Sequence, residues 1–334
     1  MEILEQGALE LRGAECFGAV EEAGLSQAFG EHGVLEATVW LKSGVDSEKN
    51  SDVWRQRPVS LMVAGKDREY LFSGLLQSTC FKQINGRPAV QIRALSHTIT
   101  LDRQEKNRSY QQESRTFMEL AGTILAPYQG AYIWSGEGGN DKVGSFLMQY
   151  QETDWSFLRR MASIQGQALV PEIRFPGAKT YIGLPEGRKE VPLEAECYHI
   201  RKRLAKVLSM MDNEEDSYLS GEFEIEVEDR YEDYLLGDRV SFQGRRLVVT
   251  RKVSRLKNSE WVHSYILTPE SGCHVERIYN PRLAGAAVRG TVTETSLCAN
   301  RLALVTDGEG EQQDSWHTQP VYYAGGGKGY SPYH

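Results

Sequence analysis

The chain has 334 residues, enough for two or three domains, with 40% hydrophobic residues and a formal net charge of −8. Its lysines and arginines are scattered, which argues against nucleic-acid binding, and no apolar run approaches the ~20 residues of a membrane span. The N-terminal run Met1-Glu-Ile-Leu-Glu-Gln6 has neither the basic nor the apolar region of a signal peptide, so a protein made in the cytoplasm is expected.

Five cysteines, Cys16, Cys80, Cys197, Cys273 and Cys298, are odd in number and far apart. That spacing fits neither a disulfide framework nor a Cys-x-x-Cys metal site, and reduced thiols are expected.

Residues 9–42 read as short strands, of which Val34–Leu41 is the clearest, followed by a polar loop at Gly44–Asp52. Val59–Val63 and Tyr70–Phe72 flank Gly65-Lys-Asp67 as a hairpin. A second hairpin joins Phe72–Ile84 to Ala89–Leu95 through Asn85-Gly86, a pair that tolerates the positive φ of a tight turn. Residues 1–105 are therefore expected to form a small antiparallel β-barrel or curled sheet.

A helical insert with short strands is expected over 106–195. Phe117, Leu120, Ala121, Ile124 and Leu125 share one helical face, Thr116 with Glu119 fits a capping box, and Pro127 ends the helix. Gly136–Asn140 reads as a loop. A second helix starts at Thr153 as N-cap with Asp154 in its first turn. Phe157, Leu158, Met161, Ala162 and Ile164 form its apolar face, Arg159 and Arg160 are expected on the opposite, solvent face, and Gly166 stops it. Strands at 168–175 and 179–184 follow, with bends at Pro171, Pro176 and Pro185.

A second β-barrel is expected over 196–275. Tyr198–Met211 reads either as a strand or as a strand and a helical turn, and Asp212–Asp216 as an acidic loop. Phe223, Ile225 and Val227 alternate on one face of a strand. Leu236–Val240, Arg246–Val253 and Trp261–Leu267 complete the set. Over 276–334 strands are expected at 287–295, 301–306 and 316–323.

The run Gln149-Tyr-Gln-Glu-Thr-Asp-Trp-Ser-Phe-Leu-Arg-Arg160 resembles a helix of the baseplate-hub family, which includes the VgrG proteins of type VI secretion and the late control D proteins of contractile phages. Leu236-Gly-Asp-Arg-Val240 ahead of Val248–Val253 resembles a turn and strand of that family's second barrel. Leu283–Glu294 resembles the entry to its OB-fold, and Ser315–Pro320 with Tyr323–Tyr330 resembles a later OB segment.

The resemblance implies a mainly β (α+β) protein: two small antiparallel β-barrels with a helical insert, then the start of an OB-fold. It also implies a structural role without catalysis or cofactor. The chain would form a homotrimer between a hexameric tail tube and a central spike protein or C-terminal spike extension. Other baseplate proteins would complete a virion or tail-like particle. No long spike-forming repeat follows, which departs from many VgrG proteins. An OB-fold has five strands, and only three are placed from residue 287 on, so a longer natural protein is expected; the alternative is a C-terminal arm paired with a neighbouring subunit.

No catalytic, cofactor-binding or metal residue stands out. Ala324-Gly-Gly-Gly-Lys-Gly-Tyr-Ser331 lacks the spacing of a phosphate loop and reads as a turn. The histidines, His32, His97, His199, His263, His274, His317 and His334, form no i, i+4 pair, and Cys273-His274 is the one Cys/His adjacency. Glu214-Glu215-Asp216 and the Glu226, Glu228, Asp229 group read as solvated charge. Trp40, Trp54, Trp134, Trp155, Trp261 and Trp316 read as core, with a surface platform for sugars left open. The rival functional classes are a tail-associated cell-wall hydrolase and a carbohydrate-binding tail protein.

Overall fold

The computed structural model describes residues 3–42, 57–66, 69–136, 141–186, 190–202, 223–296, 299–304 and 316–318. The Gly44–Asp52 loop, Trp54, the acidic run at 212–216, Cys298 and the glycine-rich segment from Ala324 lie outside the described residues.

Six strands come first: β1 (Leu9–Arg12), β2 (Phe17–Ala28), β3 (Val34–Leu41), β4 (Pro58–Val63), β5 (Tyr70–Ile84) and β6 (Arg87–Ser96). They pair antiparallel in the order β1-β4-β5-β6-β3-β2. The β5–β6 hairpin turns at Asn85 and Gly86, with φ of 48° and 76°, the conformation that this pair of residues adopts at least cost.

The insert holds β7 (Glu105–Tyr110), α1 (Phe117–Leu125), β8 (Tyr132–Ser135), β9 (Leu147–Thr153), α2 (Asp154–Ile164), β10 (Leu169–Glu172) and β11 (Lys179–Ile182). Helix α1 carries the full capping box between Thr116 and Glu119. It buries Phe117, Leu120, Ile124 and Leu125, each contributing about 1.5–3 kcal/mol by removal from water. Strands β7 and β9 form a two-stranded antiparallel ribbon, and β8 pairs parallel with β11, a pairing with no local signal in the sequence.

Six more strands follow: β12 (Val191–Pro192), β13 (Tyr198–Lys202), β14 (Phe223–Arg230), β15 (Arg239–Phe242), β16 (Arg245–Lys257) and β17 (Glu260–Pro269). Leu236-Gly-Asp238 is the turn before β15, and the Asp238 carboxylate accepts from Leu235 N at 2.7 Å. Tyr198–Lys202 is a strand, and the rest of the Tyr198–Met211 segment is outside the described residues. A small C-terminal sheet is formed by β18 (Gly290–Thr295), β19 (Ala299–Leu304) and β20 (Trp316–Thr318).

The protein is mainly β, as the sequence implied. Strands β2 and β16 pair from Gly24↔Arg255 to Ala28↔Arg251, which joins the two large strand sets into one sheet. Three apolar clusters lie along the chain. One runs from Leu9 to Ala94 with Ile173 and Trp261, one from Leu101 to Ile182, and one from Leu193 to Leu267.

Candidate functional site

The motif at 149–160 is where the sequence carries its most specific wording. Gln151 has φ of 46° and sits in an irregular stretch of the β7–β9 ladder, where Asn107 Oδ1 accepts from its amide at 3.0 Å. This bulge turns Glu152 inward. Arg160 then reaches back from α2. Its Nε lies 3.0 Å from Glu152 Oε1, and its Nη2 donates to Glu152 Oε2 at 2.8 Å and to Met148 O at 2.7 Å. The guanidinium also lies over the Phe157 ring at 4.9 Å. Arg160 is thus buried, not on the solvent face expected from helical periodicity; a buried partner eight residues back outweighs its place on the wheel.

Asp154, fully buried at the start of α2, gathers four donors. Lys106 Nζ lies at 2.5 Å, Tyr128 Oη at 2.6 Å, Gln149 Nε2 at 2.9 Å and Arg108 Nη1 at 3.1 Å. The helix N-terminus adds a favourable field for this carboxylate. Burial, then the bond to Asp154, holds the Tyr128 phenol well above its ordinary pKa. The knot ties β7, β9, α2 and the turn after α1 together.

Thr153 caps α2 by accepting from Ser156 N at 3.2 Å, and its hydroxyl donates to Asp102. Asp102 Oδ2 lies 3.3 Å from His32 Nε2, and His32 Nδ1 lies 2.8 Å from Thr98 Oγ1. Trp155 packs against the His32 ring at 4.6 Å. A second such array lies between β16 and β17, where Ser254 Oγ is 2.8 Å from His263 Nδ1 and His263 Nε2 is 3.9 Å from Asp233 Oδ1. Lys252 pairs with Asp233 beside it.

Both arrays have the acid–imidazole–hydroxyl order of hydrolase triads; sequence reading missed them because the first joins residues 66 and 70 positions apart and the second depends on the β16–β17 register. Their hydroxyls are shut away from solvent. Thr98 and Ser254 are fully buried. The cavity against Ser254 and His263 is ≈ 30 Å³, room for about one or two waters, against the roughly 300–1,000 Å³ of ligand pockets. Burial, then Lys252, holds the His263 imidazole down to about 4. These are polar joints: one links the first strand set to α2, the other ties β16 and β17 to Asp233 beside a small cavity that residues of β2 and β10 also line.

Of the other candidate residues, Cys273 and His274 line one cleft of ≈ 320 Å³. Cys273 Sγ donates to Pro269 O at 3.6 Å, and burial pushes its thiol up to about 12. The neighbouring His274 ring instead lies over Gly166. No group of three or more His, Cys, Asp or Glu among the described residues could hold a metal ion. Glu226 pairs with Arg201, and Asp229 with Arg255 and Lys257, across the sheet surface. Tyr132, Trp134 and Tyr181 cluster on β8 and β11, with Trp134 and Tyr181 stacked at 4.7 Å. Their faces are thus partly spent on each other rather than open to a sugar ring.

The C-terminal sheet differs from the rest. All six residues of β18 are exposed, and the described part of the sheet contributes no buried residue. It meets the insert through Gln111, whose Nε2 donates to Leu302 O at 3.1 Å and whose Oε1 lies 3.4 Å from His317 Nε2, and through an edge-on contact of Phe146 with His317. Three strands without a buried face do not stabilise themselves in water.

No family model matches the sequence, and no curated protein matches it. Solved structures do. The Escherichia coli c3393 protein, described as a component of the type VI secretion system with structural similarity to the T4 bacteriophage tail proteins gp27 and gp5, aligns with a TM-score of 0.68 at 13% identity, over 92% of each chain. The 43 kDa tail protein of prophage MuSo2 from Shewanella oneidensis aligns with a TM-score of 0.61 at 9% identity, over 79% of this chain and 99% of that one. A chain of the Francisella PdpA–VgrG complex aligns with a TM-score of 0.53 at 8% identity, over 97% of this chain and 74% of that one. The fold is that of phage tail proteins and VgrG-like components of type VI secretion.

Proposed function

We propose that the chain is the structural baseplate hub of a contractile injection machine, a trimeric adaptor between the hexameric tail tube and the central spike. The observation that carries this reading is the fold shared with a type VI secretion component along 92% of both chains. The exposed C-terminal sheet supports it further, since the described part of that sheet buries no residue and a symmetric assembly can cover it. On this reading the particle is a phage tail or a secretion machine, and the neighbouring baseplate proteins contact the sheet surfaces.

The same reading divides the chain into a first barrel at 1–105, an insert at 106–195, a second barrel at 196–275 and the beginning of an OB-fold at 276–334. Three apolar clusters centred on these ranges support the first three divisions, with Ile173 and Trp261 joining the first cluster and Leu193 the third. The role is docking rather than catalysis; burial of both hydroxyls in the histidine arrays supports this over the cell-wall hydrolase.

Light scattering of the pure chain, and of the chain mixed with its tube protein, tests the proposal. A particle of three times 37.6 kDa, alone or capped by tube protein, is the expected result. A monomer in both conditions would refute the hub reading, and clearing of a cell-wall suspension by the pure chain would replace it with the hydrolase.

A further inference from the structure

The segment from Cys273 to Leu283 crosses α2 as a strap on its way to β18. Val275 N donates to Gly166 O at 3.0 Å, where the helix ends. Ile278 N donates to Ser163 Oγ at 2.9 Å, and that hydroxyl in turn donates to Arg160 O. Asn280 Nδ2 donates to Tyr150 O at 2.8 Å and lies 3.4 Å from Glu152 Oε2. Arg282 Nη1 donates to the carbonyl of the bulged Gln151 at 2.5 Å and pairs with Glu105 at 2.8 Å.

Two facts about this strap stand together. First, its attachments are polar and, apart from the Cys273 thiol at its start, its side chains are half-buried or exposed; Tyr279 is 73% exposed. Beyond Thr268 the described residues, the Cys273 thiol aside, are half-buried or exposed. Secondly, the C-terminal part grips both ends of the β7–β9 ribbon. Asn280 and Arg282 hold the end where Glu105 faces Thr153, while Leu302 and His317 hold Gln111, next to the end where Tyr110 faces Leu147. Glu152 is therefore shared between Arg160 within the body and Asn280 of the strap.

We infer that the C-terminal sheet is a swivelling element, latched to the body by polar contacts at the two ends of the β7–β9 ribbon, with Asn280 as the pin of the strap. Bonds of this kind exchange with water at small net cost, so the latch opens without unfolding the cores beneath it. The strap then sets the direction in which the C-terminal sheet leaves the body. This inference does not depend on the hub reading, since it concerns the single chain.

Amide hydrogen exchange on the full chain tests it. Asn280→Asp keeps the shape of the side chain, removes the donor to Tyr150 O and sets a carboxylate beside Glu152. The expected result is about tenfold faster exchange at the Val275 and Ile278 amides, which Asn280 does not itself bond. Exchange in β5 and β6 stays unchanged. Asn280→Ala with Arg282→Ala gives a larger effect of the same pattern and a larger radius of gyration by scattering. Unchanged exchange at Val275 and Ile278 would mean that the contacts open independently and no latch exists. Equal acceleration in β5 and β6, or failure of both variants to fold, would make the strap part of the core and overturn the inference.

Discussion

Arg160 and Glu152 form a two-pronged ion pair, Nε to Oε1 at 3.0 Å and Nη2 to Oε2 at 2.8 Å, with each side chain less than a tenth exposed. A buried pair of this kind adds little stability over an apolar pair of the same volume, but removing one partner strands a charge. Arg160→Ala and Glu152→Ala are each expected to cost about 3–5 kcal/mol, with Arg160→Met combined with Glu152→Leu milder than either. Urea unfolding of the three variants checks this; single variants within about 0.5 kcal/mol of the parent, the range of ordinary surface substitutions, would show that the pair is solvated.

That pair also marks how far the sequence could be read. The capping box of Thr116 and Glu119, the Asn85-Gly86 turn, the Thr153 cap and the apolar faces of α1 and α2 are local, and each forms where its residues predict it. The burial of Arg160 depends on a bulge at Gln151, which inverts the side-chain alternation of β9 and has no signature in residue type. Joining of the two strand sets through β2 and β16 connects residues more than two hundred positions apart, as does the second histidine array to Gln27 and Leu25 around its cavity. Periodicity reports which face of an element is buried, and is silent about which distant element covers it.

Trp155 is 2% exposed and rests on His32, in the joint between the first strand set and the insert. Trp155→Ala is expected to destabilise the protein by about 3–5 kcal/mol, because the neighbours of an indole in a tied joint collapse only in part. Chemical denaturation measures this. A variant of unchanged stability that loses partner binding would instead place the indole at an interface.

His263 gives a pH dependence of definite sign. Its imidazole titrates at about 4 in the folded protein, against 6.5 for the ordinary group, because burial and then Lys252 disfavour the cation, while Asp233 and Glu232 oppose them. Between pH 6.5 and pH 4 the unfolded chain takes up a proton that the folded protein refuses. Stability from this group is therefore complete above pH 6.5 and is lost as pH falls through that window, on the order of 3 kcal/mol in all. His263→Gln should flatten the stability profile over that range relative to the parent. Parallel profiles for the two proteins would show that His263 does not couple folding to protons.

The last prediction concerns the C-terminal sheet as a contact between subunits. Val292 lies in the fully exposed strand β18 and is itself 50% exposed, and Trp316 at the other edge of the sheet is 41% exposed. An apolar residue on an edge strand invites pairing, and a lysine there blocks it. In the free chain Val292→Lys removes no core contact, so its unfolding free energy should stay within about 0.5 kcal/mol of the parent. In a trimer that packs β18 against a neighbour, the same change buries three ammonium groups near one another, and the assembly should dissociate at concentrations where the parent holds together. Light scattering across a dilution series separates the cases. A parent trimer that Val292→Lys leaves intact would put β18 on the outside of the assembly and move the contact to the large sheet, whereas a stability loss in the monomer would show that β18 packs within its own chain.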